Sequence, residues 1–269
     1  PEIERAEYER ARLLPTNNLD AWENYHLALW HNFRFTARDT ELAHNYLQRA
    51  LQLDENFGRA HAAMSLMHFS RAFLDASDNV DTDIAMALES AERSVDLDGR
   101  DAMGHWSLGR AHFLLRQHDL ALLSVERALQ SNPNYAQGHY AMGFIGTHAG
   151  VTDALPELDI ARRLSPYDPL LFAMESSRAL NLVTQEKYHD AAHWAVRATV
   201  EPNAHFHIFA IAAACLELDG RHEEAGHYAR LALQKHPGYT RKVFFQSFPY
   251  KLPHHRQRIY DALGRAGLI

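Results

Sequence analysis

Six segments of this chain share one pattern: an alanine, a residue four on, a small residue three beyond that and, in four of the six, a proline five later. They are Ala43-Leu47-Ala50, Ala87-Ala91-Ser94, Ala121-Val125-Ala128-Pro133, Ala154-Leu158-Ala161-Pro166, Ala191-Ala195-Ala198-Pro202 and Ala225-Ala229-Ala232-Pro237. The first alanines are 44, 34, 33, 37 and 34 residues apart. Small residues at this spacing form one stripe of a helix, and such a stripe lets a second helix approach closely. A proline beyond it ends the helix and starts a turn. A recurring helical hairpin follows, and a lone hairpin cannot bury its apolar face, so neighbours must stack.

The expected architecture is therefore all-α, a right-handed α-solenoid of about six hairpins with an N-terminal entry helix and a C-terminal capping helix. Residues 1–18 read as entry helix and linker, with a break at Leu14-Pro15-Thr16-Asn17-Asn18; residues 19–237 read as the array, and 238–269 as the cap. The hairpins are read as Leu19–Phe33 with Arg38–Leu53, Phe57–Leu74 with Asp83–Leu97, and Ala102–Arg116 with Asp119–Gln130. The last three are Ala136–His148 with Thr152–Leu164, Pro169–Thr184 with Tyr188–Val200, and Ala204–Leu218 with His222–Lys235. The polar insertion at residues 75–82 accounts for the long first interval, and Thr82 or Asp83 is expected to cap the helix after it. Beyond Pro237, Tyr239, Phe244, Phe245, Phe248 and Tyr250 crowd together before a single final helix, about His254 to Gly264.

Few chemistries find support. The formal charge of −7 and pI near 6.3 argue against a nucleic-acid surface, which needs concentrated Lys and Arg. Cys215 is the one cysteine, so no internal disulfide forms, and its apolar run marks it as a packing residue. No apolar stretch is long enough to span a bilayer and no signal peptide is evident, which makes the cytoplasm the expected location. No phosphate loop, dinucleotide fingerprint or nucleophile-plus-base pairing is present, so no catalytic residue and no cofactor is expected.

Nineteen histidines invite a metal reading. His61, His105 and His139 recur at one repeat position, as do His68 and His112, which points to packing. His189 and His193 are spaced as ligands on one helix face, but the sequence His189-Asp190-Ala191-Ala192-His193 lacks the glutamate of a zinc protease helix, and no metal site is assigned. The aspartates at 75, 78, 81 and 83 do not match a calcium loop. What remains is the concave face of the first helices, where the array places an aromatic row with arginines among it. Trp22, Tyr25, Arg59, Phe69, Trp106, Arg110, Phe113, Tyr140, Phe144 and His148 are the candidate partner-binding residues. Aromatic area and arginine clamps suit a protein or peptide partner. An equal alternative is that the chain's own ends, residues 239–250 or the N-terminal helix, fill that face.

The period and the alanine-proline pattern resemble the tetratricopeptide repeat. Two stretches resemble a narrower group: Leu29-Trp30-His31-Asn32-Phe33-Arg34-Phe35-Thr36 after Leu19-Asp20-Ala21-Trp22, and Leu164-Ser165-Pro166-Tyr167-Asp168-Pro169-Leu170-Leu171 with the terminal Ala266-Gly267-Leu268. They are similar to the C-terminal repeat regions of bacterial class III adenylate cyclases and of winged-helix regulators of the CadC and HilA group. That resemblance implies a non-catalytic module that binds a partner and regulates an output domain upstream. It carries over no catalytic residue. The alternative function is a small-ligand or metal sensor built from clustered histidines. Partner identity and oligomeric state are left open by the sequence.

Overall fold

A computed structural model describes residues 2–12 and 19–269, with side chains from Ala6 onward. The expected linker at 14–18 lies outside the described residues. The described residues are all-helical and form two compact units, residues 1–138 and 139–269.

In the first unit, α1 (Glu2–Arg12) leads to three hairpins: α2 (Ala21–Asn32) with α3 (Ala37–Leu53), α4 (Gly58–Phe73) with α5 (Val80–Leu97), and α6 (Ala102–Leu114) with α7 (His118–Ser131). The helix α8 (Ala136–Ala149) runs into the second unit, which continues with α9 (Leu155–Leu164), α10 (Leu171–Thr184), α11 (Tyr188–Thr199), α12 (Phe206–Leu218) and α13 (His222–Lys235). Two further helices follow, α14 (Arg241–Ser247) and α15 (Pro253–Arg265). Within the first unit α2 packs on its partner α3 and on α4, α4 packs on its partner α5 and on α6, and α5 also touches α6. In the second unit α12 meets α10, α11, α13 and α15. Stacked hairpins of this kind are the α-solenoid class that the spacing implies.

The seam explains the alanine pattern. Ala43, Leu47 and Ala50 of α3 are fully buried against Tyr25, Ala28 and Leu29 of α2 and Ala60, Ala63, Met64 and Met67 of α4. Further along, in the second helices α7 and α9, the large residue of the pattern seats against a glycine of the first helix. A Cβ on Gly109 would lie 2.7 Å from Val125 Cγ2 and 3.0 Å from the Ala121 carbonyl oxygen; one on Gly143 would lie 2.6 Å from Leu158 Cδ2. The hairpin turns share a second device. The amide of Gln117 donates to His112 O, that of Val151 to Gly146 O, that of Lys187 to Leu182 O and that of Arg221 to Leu216 O. The residue before each donor has a positive φ: Arg116, Gly150, Glu186 and Gly220. This six-residue closure satisfies the carbonyls that a helix end leaves open.

Two local expectations need correction. The cap of α5 is Asn79, whose side chain accepts from the Thr82 amide; Thr82 and Asp83 are not the cap. The aromatic stretch after Pro237 is itself helical in part, because Thr240 caps α14 by accepting from the Val243 amide, so two helices follow the last hairpin where one was expected.

Gly109→Ala tests the seam. Alanine favours a helix over glycine by roughly 1 kcal/mol, yet its methyl overlaps Val125 and a backbone carbonyl, and overpacking costs about 1–3 kcal/mol. The expected outcome is a net loss of stability in urea unfolding, with rescue by Val125→Ala in the double variant.

Candidate partner-binding face

The first hairpins in the first unit are held by a repeated polar clamp. His31 Nδ1 lies 2.8 Å from Asp39 Oδ1, and the same carboxylate accepts from the Thr36 hydroxyl and faces Arg34 Nε at 3.5 Å. One hairpin on, His68 Nδ1 lies 2.6 Å from Asp83 Oδ1, with Arg71 Nε at 3.1 Å and the Ser77 hydroxyl also donating to it. The polar insertion thus returns to the body of the repeat through Asp83, which is 5% exposed. Burial alone would raise the Asp83 pKa, but hydrogen bonds from Ser77, His68 and Arg71 outweigh it and hold the carboxyl below its ordinary range. The sequence has a histidine near the end of α2 and of α4 with an aspartate ahead of each, but does not say that they meet.

Other histidines serve the turns. His61 Nε2 and His105 Nε2 donate to the carbonyls of Glu55 and Gly99, at 3.0 and 2.9 Å. His139 pairs with Glu157 at 2.7 Å, and the exposed His189 lies 3.3 Å from Asp219. Among the described residues no three His, Cys, Asp or Glu side chains converge as metal ligands.

The ten candidate residues divide by exposure. In the first unit Trp22 is 37% exposed. Its ring stacks on Phe57 at 6.2 Å, and its indole N–H donates to Glu7 of α1 at 3.1 Å. Arg59 is also exposed and reaches Asp101, before α6, at 3.3 Å. Between them Tyr25 is buried and its hydroxyl sits 3.3 Å from Met103 Sδ. The remaining members of this unit are buried: Phe69, Trp106, Arg110 and Phe113. The Arg110 guanidinium lies 4.0 Å above the Phe69 ring and 5.5 Å from that of Trp106, so its charge sits on aromatic faces. The helix α1 packs alongside, with Tyr8 stacked on Trp30 at 4.1 Å.

In the second unit Tyr140, Phe144 and His148 are buried too. Phe248 stacks on His148 at 5.6 Å and meets Phe144 at 6.2 Å; Tyr250 meets His148 at 4.6 Å. The Lys251 amide donates to the His148 carbonyl at 2.8 Å. Tyr239 lies 2.6 Å from His207 Nδ1 through its hydroxyl. The segment at 239–251 therefore covers the inner side of α8 and α12. Tyr239, Phe244, Phe245 and Phe248 are all buried, and at about 1.5–3 kcal/mol each they contribute as much as the whole stability of an ordinary domain. Such a segment is part of the core and not a removable plug.

The class these features define is the helical-hairpin repeat. No protein-family model and no curated protein sequence matches the chain. Solved tetratricopeptide proteins share its fold. A thermophilic repeat protein of Thermus thermophilus is 19% identical with a TM-score of 0.55, over 73% of this chain and 98% of its own. The structure of Pseudomonas aeruginosa pilF is 16% identical with a TM-score of 0.53, over 82% of this chain and 93% of its own. A tetratricopeptide repeat protein of Parabacteroides merdae is 11% identical with a TM-score of 0.51, covering 90% and 99%. Among the described residues no helix is long and apolar enough to cross a membrane.

Asp83→Asn would leave Arg71 and His68 facing a neutral amide inside the hairpin, at a cost of roughly 3 kcal/mol. Chemical unfolding should show that loss, whereas the exposed Asp78→Asn in the same loop should stay within about 0.5 kcal/mol of the parent. Equal effects would mean that the clamp does not anchor the insertion.

Acid stability gives a second check. The His205 pKa is pushed down to about 3 by burial, with Lys235 adding to it; the ring sits edge-on to Phe172 at 5.2 Å. Between the ordinary value of 6.5 and about 3 the unfolded chain takes up a proton that the folded chain refuses, so stability falls as pH drops through that window, by up to about 1.4 kcal/mol per pH unit. In His205→Gln the drop in melting temperature between neutral and mildly acid buffer should shrink. An unchanged drop would assign the acid loss elsewhere.

Proposed function

We propose that the chain is a non-catalytic protein-interaction module whose partner, a protein or peptide segment, docks on the row formed by the starts of α2, α4 and α6. The observation that carries this reading is Trp22: a large aromatic, stacked on the partly buried Phe57, left over a third open in the same row as the half-open Arg59 while its neighbours Tyr25 and His26 are buried. Tryptophan and arginine dominate binding hot spots, since each buries much area for little lost freedom. Phe69, Trp106, Arg110 and Phe113 act from beneath, as the packed floor that keeps the row rigid. In the second unit Tyr140 is buried and Phe144 and His148 are engaged by the chain's own 239–251 segment, so the docking surface is drawn from the first unit.

The finer reading is that the module regulates a bacterial signalling protein, a cyclase or a transcription regulator, from its C-terminal side in the cytoplasm. It rests on the resemblance of residues 19–36 and 164–171. An acidic net charge makes nucleic acid a poor partner for this part of the chain. The sensor alternative draws on the histidines, but His31, His68, His61 and His105 are committed to internal bonds.

Peptides selected from a display library on the protein provide the test. Trp22→Ala and Arg59→Ala should each weaken the best binders by about tenfold or more while the chain stays folded by circular dichroism at the assay temperature. Parent-like affinity in both variants would remove this row from consideration. Trp106→Ala should instead lower stability, because its side chain is buried.

A further inference from the structure

A hollow of about 670 Å³ opens between the α5–α6 turn and the last turns of α7, on residues that the docking row does not use. Its wall carries Arg100 from the turn and Arg127 from α7, with Gln130, Ser131, Gly99 and His105. Elsewhere in the unit Arg34, Arg59 and Arg71 each face an aspartate. The side chains of Arg100 and Arg127 form no ion pair among the described residues, in a chain with a formal charge of −7; the Arg100 amide donates to Asp98 Oδ1 at 3.0 Å. Two guanidinium groups on opposite elements of one hollow, neither of them ion-paired, are placed to grip carboxylates from two sides, which is what arginine is suited to do.

The size and the neutral part of the wall narrow the ligand. One water occupies about 30 Å³ of liquid, so the hollow far exceeds a single inorganic anion. His105 is 5% exposed, with its Nε2–H engaged by the Gly99 carbonyl and its Nδ1 shut off from solvent, so its ring is a closed part of the wall. The Gln130 amide and the Ser131 hydroxyl add both donors and acceptors. A site with this mixture calls for a ligand that brings amide N–H groups as well as negative charge. We propose that the hollow is a second docking site, which takes an acidic peptide segment: its carboxylates on Arg100 and Arg127, its backbone along Gln130 and the exposed Ser131.

Fluorescence anisotropy with a labelled Glu-Gly repeat peptide tests this on the full chain, with a Lys-Gly repeat as the opposite-charge control. The parent should bind the acidic peptide, and the Arg100→Glu/Arg127→Glu variant should lose about tenfold or more. Arg49→Glu/Arg93→Glu, a charge-matched change on other exposed arginines of the unit, should bind like the parent, as should Trp22→Ala, which separates this site from the docking row. Ser131→Trp, which fills the hollow without altering charge, should also abolish binding. Absence of binding in the parent overturns the proposal, as does equal loss in the charge-matched control. So does full competition by inorganic phosphate at equal ionic strength, which would make the hollow a small-anion site.

Discussion

The close approach of two helices at a small residue governs everything else in this molecule. Val125 against Gly109 and Leu158 against Gly143 leave no room for a methyl group, and the paired alanines of the second helices extend the contact along the seam. Because interiors are packed like crystals, such a contact fixes both the distance and the register of the two helices. Register then decides which residues of a first helix face its own partner, which face the next hairpin, and which are left for the inner row. Trp22 owes its exposure, and Trp106 its burial, to that geometry.

A polar layer fixes what the seam leaves free. Turns between antiparallel helices expose carbonyls and invite loops to drift. The histidines at 61 and 105 reach back to such carbonyls, and those at 31 and 68 reach forward to an aspartate of the following helix. A ring with an apolar body and two polar atoms suits these half-dry positions, where a lysine would lose its water and a leucine would leave the backbone unpaired. The abundance of histidine is thus explained in good part by the fold. In the second unit the same residue type is used differently: His148 and His207 become part of an aromatic cluster closed by Phe248 and Tyr250.

The hairpins were legible in the sequence because their signals are local. The alanine stripe, the proline beyond it and the polar turn set the helix ends to within a few residues, as for Tyr188–Thr199 and His222–Lys235. The inner row was legible only as a direction. Periodicity places Phe69, Trp106 and Phe144 on one face of their helices, but it cannot say whether another element lies over that face, which depends on contacts far along the chain. For Phe144 and His148 the cover comes from residues about a hundred positions later. Asp83 is a similar case: its place at a helix start suggests a solvated cap, whereas the carboxylate turns inward because His68, Arg71 and Ser77 together offset the cost of removing it from water. Arg100 and Arg127 were invisible as a pair, since a turn and a helix end join them and no motif does.

The distinction between a core aromatic and a docking aromatic is therefore one of coverage and not of residue type. Tyr239, Phe244 and Phe248 show what a bound aromatic segment on such a face looks like, but their contacts are intramolecular and permanent on the scale of the protein's own stability. A partner cannot compete for that surface without unfolding the end of the chain. It can compete for water at Trp22, where one edge of the indole is already tied to Glu7 and the face already rests on Phe57. A side chain held in this way has lost most of its freedom before any partner arrives, so docking there costs little further entropy. Within the first unit Trp22 is the one aromatic among the exposed large hydrophobic residues, and the proposed docking rests on that preorganised and open ring.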